Sequence, residues 1–285
     1  MKIGIGLPAS IPGVSGDIVL DWARRADAGP FSSVGMIDRI VYGNHDPLIA
    51  LAAAAAVTTR VQLMTAVLLA PLRNAGVLAK QAATLDALSG GRLTLGFGVG
   101  GREDDFRAAP AVFRTRGRRF DEQLALMARA WNGEPLADDV GPVGPTPTRV
   151  GGPEILIGGG SPAAIARVGR WGQGYIAGAG GPERAAVGFR AAEAAWTAGG
   201  RSGRPRLAAV IYFALGPDAA ERGTPSILGY YGPQLGQRLA QGMPASEEGI
   251  RATIQAFVNV GADEVVFLPT IPELDQVDRL AELAG

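Results

Sequence analysis

The chain contains no cysteine and a single histidine, His45. Disulfides, thiolate nucleophiles and thiolate metal ligands are therefore excluded. One histidine cannot build a histidine-based metal cluster, so no metal site is expected. Excess charge of either sign is also missing, since 27 Lys and Arg balance 27 Asp and Glu. Nothing favours nucleic acid or an anionic membrane as a partner. No uninterrupted apolar run reaches the roughly 18 residues of a membrane span. Met1-Lys2 leads straight into an alternating apolar stretch, with no signal-peptide pattern, so a cytoplasmic protein is expected.

What is present is a large apolar fraction, 47% of 285 residues, enough for a sizeable core. Short β-like runs alternate with helical patterns. Strands are predicted at Lys2–Leu7, Ser33–Ile37, Val61–Leu68, Arg92–Val99, Glu154–Gly158, Gly174–Ala177, Arg206–Leu215 and Glu264–Leu268. Several are nearly continuous apolar runs, as parallel strands covered on both faces should be. Helices are predicted between them at Asp17–Ala28, Pro47–Thr58, Val77–Leu88, Arg118–Trp131, Pro162–Trp171, Pro182–Trp196 and Glu247–Val260, and Leu274–Leu283 closes the chain. Asp46-Pro47 is a favoured N-cap and first-turn pair. In Arg118–Trp131, Phe120, Leu124, Met127 and Trp131 recur at helical spacing. Strands alternating with helices imply a parallel sheet with right-handed crossovers. Eight such units with nothing left over favour a single α/β domain over residues 1–285, closed as a (β/α)8 TIM barrel, which typically takes about 250 residues. Two stretches break the rhythm. Pro135–Pro153, rich in proline and glycine, is predicted as a loop. Gly216–Ser246 separates the seventh strand from the last long helix and carries Tyr230-Tyr231.

Several positions could carry chemistry. Gly96-Phe97-Gly98-Val99-Gly100-Gly101 formally matches G-x-G-x-x-G, but it follows the fourth strand, and Asp121 and Glu122 fall in a helical pattern. A dinucleotide site of Rossmann type lacks its context here. Glycines at a strand end still let a ligand approach the backbone, although a tight barrel corner would explain them too. Gly158-Gly159-Gly160-Ser161-Pro162 ends a strand and opens a helix. Three successive glycines exceed what a cap requires and point to an anion such as phosphate; Ser161 also reads as a plain N-cap. His45 reads more simply as a loop residue than as a general base. Arg39, beside Asp38, and Arg73-Asn74 lie where barrel active sites are built. The Asp38-Arg39 pair reads either as part of such a site or as an ion pair on its rim.

Val61–Gly101, VQLMTAVLLAPLRNAGVLAKQAATLDALSGGRLTLGFGVGG, resembles the bacterial luciferase-like, flavin-dependent oxidoreductase family. The resemblance continues in Met1–Pro8, Asp38 to Val57, Asp105-Phe106, Arg118–Glu122, Pro153–Tyr175 and Gly261–Pro269. Leu85–Gly91 (LDALSGG) with Arg92 and the following glycine-rich strand end is its most specific segment. The resemblance implies a flavin at the C-terminal face of the barrel. Many members have a non-proline cis peptide beneath the flavin ring, which here corresponds to Ala66-Val67. It also implies a cofactor phosphate against the end of the fourth strand (Gly98, Gly101) and against Gly159, Gly160 and Ser161. Many members have Asp-His where this chain has Asp38-Arg39. Arginine cannot serve as a base at neutral pH, but Arg39 could stabilise an anion and is the candidate catalytic residue. Some deazaflavin-using members carry an acidic residue where Gly101 stands.

The function implied is a monooxygenase acting with reduced FMN and O2 on a small organic substrate, with the FMN reduced by a separate flavin reductase. A hydride-transferring enzyme using a deazaflavin coenzyme is the alternative, and a flavin-binding protein without turnover is a second. Tyr230 and Tyr231 are candidate walls of the substrate site. Family barrels often form homodimers. The Ala-rich segment Leu48–Val57 could pack closely against a second copy or against the barrel itself.

Overall fold

The computed structural model describes residues 1–285. Eight parallel strands close into a barrel: β1 (Lys2–Gly6), β2 (Ser33–Met36), β3 (Gln62–Leu69), β4 (Leu93–Gly98), β7 (Glu154–Gly158), β8 (Gly174–Ala177), β9 (Arg206–Phe213) and β10 (Glu264–Pro269). β1 pairs with both β2 and β10, which completes the ring. The missing numbers, β5 (Pro135–Ala137) and β6 (Val140–Pro142), form a small antiparallel hairpin outside the barrel. All eight strands lie where the apolar runs predict them, with ends differing by a residue or two.

Residue parity along each strand divides the interior. On β9, Leu207, Ala209, Ile211 and Phe213 face the surrounding helices. Ala208, Val210 and Tyr212 point into the barrel, where they meet Met64, Leu156, Ile176, Val266 and Leu268. Such layers of inward side chains make the barrel a packed core and not a pore.

The helices are α1 (Gly16–Ala28), α2 (Pro47–Val57), α3 (Ala75–Leu88), α4 (Glu103–Ala108), α5 (Arg116–Trp131), α6 (Pro162–Arg170), α7 (Gly181–Ala198), α8 (Ala219–Tyr231), α9 (Pro233–Gln241), α10 (Glu247–Asn259) and α11 (Asp275–Ala284). Two starts are capped as the sequence suggests: Asp46 accepts from the Leu48 and Ile49 N–H groups and Ser161 from Ala164. Asn74 and Ser246 cap two further starts, accepting from Val77 and Gly249. The Ala-rich α2 turns Leu48, Leu51 and Ala54 into the core, so packing against the barrel accounts for that face. No helix is long and apolar enough to cross a membrane.

Two expectations need correction. Pro135–Pro153 is not wholly a loop, because it contains the β5–β6 hairpin. Gly216–Ser246 is mostly helical. It forms α8, with Pro225 inside it, then turns at Gly232 (φ +79°) into α9, with Pro233 at its start. Proline and glycine normally interrupt helices, so their density here hides a helical pair. That pair extends over the C-terminal mouth of the barrel.

Candidate active site

Strand ends and loops at the C-terminal face enclose a cavity of about 350 Å³. Its floor comes from Ile37 after β2, Ala66 and Val67 on β3, and Ile176 and Ala177 on β8, with Val210 on β9. The Ala66–Val67 peptide bond is cis, at the position the resemblance indicates. Here the pairing of β3 with β4 shifts register between Thr65 and Leu68. Gly100 and Gly101 form one rim and Gly158, Gly159 and Gly178 another. A Cβ added at Gly101 or Gly178 would meet nothing within 4 Å, so backbone alone borders the cavity at those points. A second cavity of about 480 Å³ adjoins the first and shares Gly159, Gly178, Ala179, Tyr231 and Leu235 with it. Gly160 and Arg184 line the second.

The charged groups of the mouth are bonded to the protein itself. Arg39 does not pair with its neighbour Asp38. Its Nε lies 2.7 Å from Asp105 Oδ2, a charge contact without the alignment of a hydrogen bond. Its other nitrogens donate to the Tyr230 and Val41 carbonyls at 2.9 and 2.8 Å. Asp105 also accepts from the N–H groups of Ile40 and Val41. Asp38 accepts from Arg73 at 2.5 Å and from Leu69 N–H at 2.8 Å, and Arg73 reaches Asp46 as well. Burial pushes the Asp38 carboxyl above its ordinary value, and Arg73 only partly opposes this.

Aromatic rings from α8 form the remaining wall. Tyr230 and Tyr231 both line the cavity, with ring centroids 4.7 Å apart. The Tyr230 hydroxyl donates to the Asp38 carbonyl at 3.0 Å, and Arg39 stacks over its ring at 5.4 Å. Tyr231 meets Tyr212 of β9. Burial pushes the Tyr212 and Tyr230 phenols well above their ordinary value.

Most residues singled out from the sequence converge here: Arg39, Ala66, Val67, Gly101, Gly159, Tyr230 and Tyr231 line the first cavity. Gly98 does not. It sits beneath Val67, where a Cβ would lie 2.7 Å from the Val67 Cγ2. Ser161 caps α6 at the edge of the second cavity, its Oγ accepting from Ala164 N–H at 3.2 Å. His45 is exposed and its Nε2 contacts the Val14 carbonyl, away from the mouth. Asp105, Arg102 and Tyr212 were not foreseen. For Tyr212 a signal existed, since it shares inward parity with Ala208 and Val210.

Comparison with known proteins agrees with this geometry. Residues 1–262 match the family of luciferase-like monooxygenases. An uncharacterized protein of Mycobacterium tuberculosis is 30% identical over 188 residues, 56% of this chain and 65% of that protein, just under two thirds of its length. An F420-dependent glucose-6-phosphate dehydrogenase of Kribbella flavida is 32% identical over 62% of this chain and 58% of its own. Among solved structures, the monooxygenase RslO1 of Streptomyces bottropensis superposes with a TM-score of 0.81 at 23% identity, covering 99% of this chain and 97% of its own. A type II Baeyer-Villiger monooxygenase from Pseudomonas putida, in complex with FMN, superposes with a TM-score of 0.75 at 16% identity, covering 100% and 97%. At these identities the superpositions speak for the fold, and the match over residues 1–262 speaks for the family. The chain belongs to the luciferase-like monooxygenase family.

Proposed function

We propose that the protein is a monooxygenase that uses reduced FMN and O2 on a small organic substrate. The carrying observation is the character of the first cavity: an apolar floor, rims of bare backbone, and charged groups already bonded to one another. A transferable proton base is what hydride abstraction from an alcohol would need, and none of the carboxylates at this mouth is free to serve. Oxygen chemistry asks instead for a dry, shaped chamber beside the cofactor.

The residues fit a flavin. Ala66 and Val67 would hold the ring, and Gly101 would let the cofactor approach the backbone on its phosphate side, because no side chain projects from it into the space before it. Gly159, Gly160 and Ser161 would hold the phosphate, using N–H groups at the start of α6 and its dipole. The bound cofactor supplies the electrons that activate O2. The protein's part is to orient the substrate through its apolar walls, exclude water, and keep Arg39 close to the cavity as a fixed positive charge.

A deazaflavin coenzyme is the second reading, and the identity to F420-dependent glucose-6-phosphate dehydrogenases supports it. Equilibrium binding of FMN, oxidised and reduced, and of F420 separates the two. The expected result is selective FMN binding that weakens at least tenfold in Ser161→Glu, where a carboxylate would repel the phosphate. Tight F420 binding with no FMN affinity would reject the first reading and establish the second.

A further inference from the structure

Tyr212 and Tyr231 share one hydrogen bond, 3.2 Å between hydroxyl oxygens. Only one of them can supply the hydrogen in it. Tyr212 is 4% exposed, lies among apolar inward-facing side chains, and has no second acceptor. A buried hydroxyl without an acceptor is costly, so Tyr212 is the donor. Tyr231 then accepts, and its own hydrogen has no partner in the protein. Burial raises both phenols above their ordinary value, so both stay protonated at neutral pH. Tyr231 borders both cavities, whereas the Tyr230 hydroxyl beside it is committed to the Asp38 carbonyl.

We propose that Tyr231 donates its free hydroxyl hydrogen to an oxygen atom of the substrate, and that Tyr212 is the positioning residue that fixes this direction. The proposal rests on the reading that the cavity over Ala66 and Val67 receives the substrate. It also limits the substrate chemistry. Asp38 and Asp105 are filled by arginine and backbone N–H groups, so the wall has no free carboxylate for a substrate hydroxyl. An oxygen that only accepts, such as a carbonyl, matches the free side-chain donor that Tyr231 presents on this wall. A site built to hydrogen-bond one atom discriminates strongly against an analogue lacking it.

The test compares acetophenone with α-methylstyrene, in which C=CH2 replaces C=O at nearly the same shape. Binding of each to the full chain is followed by ligand-observed NMR, with and without FMN, and the C=O stretch of bound acetophenone is recorded by infrared difference spectroscopy. The wild type should prefer the ketone about five- to tenfold, the worth of one net hydrogen bond, and should lower its C=O frequency. Tyr231→Phe should abolish both effects while α-methylstyrene and FMN bind as before. Tyr212→Phe should leave an intermediate preference, because Tyr231 keeps its hydrogen but loses the bond that orients it. No ketone preference in the wild type, including no detectable ketone binding, overturns the proposal, as does a preference that survives Tyr231→Phe. Failure of FMN to bind, with the ketone preference and its loss intact, rejects the monooxygenase reading and leaves Tyr231 in its role.

Discussion

Arginine–carboxylate clusters occupy both ends of this barrel, but they bond to different things. At the N-terminal end, Arg206 lies between Glu154 and Glu264. Glu264 also accepts from Ser32 and Ser33 at 2.5 and 2.6 Å, and Glu154 from Thr94 at 2.9 Å. These side chains come from adjacent or next-but-one strands of the barrel, or from the residue just before a strand, so the cluster ties strand to strand. At the C-terminal end, Arg39, Asp105 and Asp38 spend most of their bonds on backbone: Ile40 and Val41 after β2, Leu69 at the end of β3 and the carbonyl of Tyr230 in α8. One cluster closes a floor; the other shapes the walls of a cavity. The same chemistry thus serves stability below and binding above, in keeping with the division between barrel ends.

The sharpest way to break this contrast is to remove one partner from each cluster. Glu264→Ala leaves Arg206 with a single carboxylate and strands the Ser33 hydroxyl, while Ser32 keeps the Ile3 carbonyl, and should cost about 3–5 kcal/mol in urea unfolding. FMN affinity per folded molecule should not change. Arg39→Met should cost less, about 1–3 kcal/mol, because Asp105 keeps two backbone N–H donors. It should nevertheless weaken FMN binding about tenfold, since α8 loses its charged tie to the β2 loop and keeps only the hydroxyl contacts of Tyr230 and Tyr42. Equal stability losses with FMN binding intact in both variants would contradict the division of labour.

Glycine gives a smaller and more local version of the comparison. Near the floor, a Cβ at Gly4 would lie 2.2 Å from Ser33 Oγ and 3.1 Å from Val266 Cγ2. At the mouth, a Cβ at Gly101 would meet nothing within 4 Å. Gly4→Ala should therefore lose about 1–3 kcal/mol by overpacking, and Gly101→Ala should stay within about 0.5 kcal/mol of wild type. In thermal unfolding the first should shift clearly and the second barely. If Gly101→Ala proved as damaging as Gly4→Ala, the open rim assigned to the cofactor would not exist.

The sequence reveals the floor and walls of this barrel better than its lid. Strands such as Arg206–Phe213 are legible because both faces are buried and the apolar run is almost unbroken. The glycine turns at Gly101 and Gly159–Ser161 are legible because backbone approach to a ligand leaves a compositional trace. α8 and α9 are not, since Pro225, Gly229, Gly232 and Pro233 signal interruption while tertiary packing holds the helices. The partnership of Arg39 with Asp105 is hidden for a different reason. The two are 66 positions apart, and only closure of β2, β3 and β4 side by side brings them together. Adjacent Asp38 looks like the natural partner, yet successive residues leaving a strand point different ways, and Asp38 turns to Arg73 instead.

The smallest predicted effect separates the two ends by the sign of their response to pH. At the floor, Asp27 accepts from the N–H groups of Thr59, Arg60 and Val61 and from the Thr59 hydroxyl. Burial pulls its carboxyl up, but these bonds prevail and hold it below its ordinary value of 3.8. Its contribution is therefore present above that value and is lost as pH falls through the lower, folded one. Asp27→Asn should cost about 1 kcal/mol near neutrality, and the gap to wild type should narrow below about pH 4. At the mouth, burial raises Asp38, so wild type loses stability as pH rises from 3.8 through the folded value. Asp38→Asn has no such slope, and its gap to wild type should be widest in acid and narrow toward neutrality. Urea midpoints for the three proteins from acid to neutral pH measure both gaps. Gaps that narrow in the same direction would mean that the mouth carboxyl is held as an ion as firmly as the floor one, and the contrast between the two ends would reduce to their choice of bonding partners.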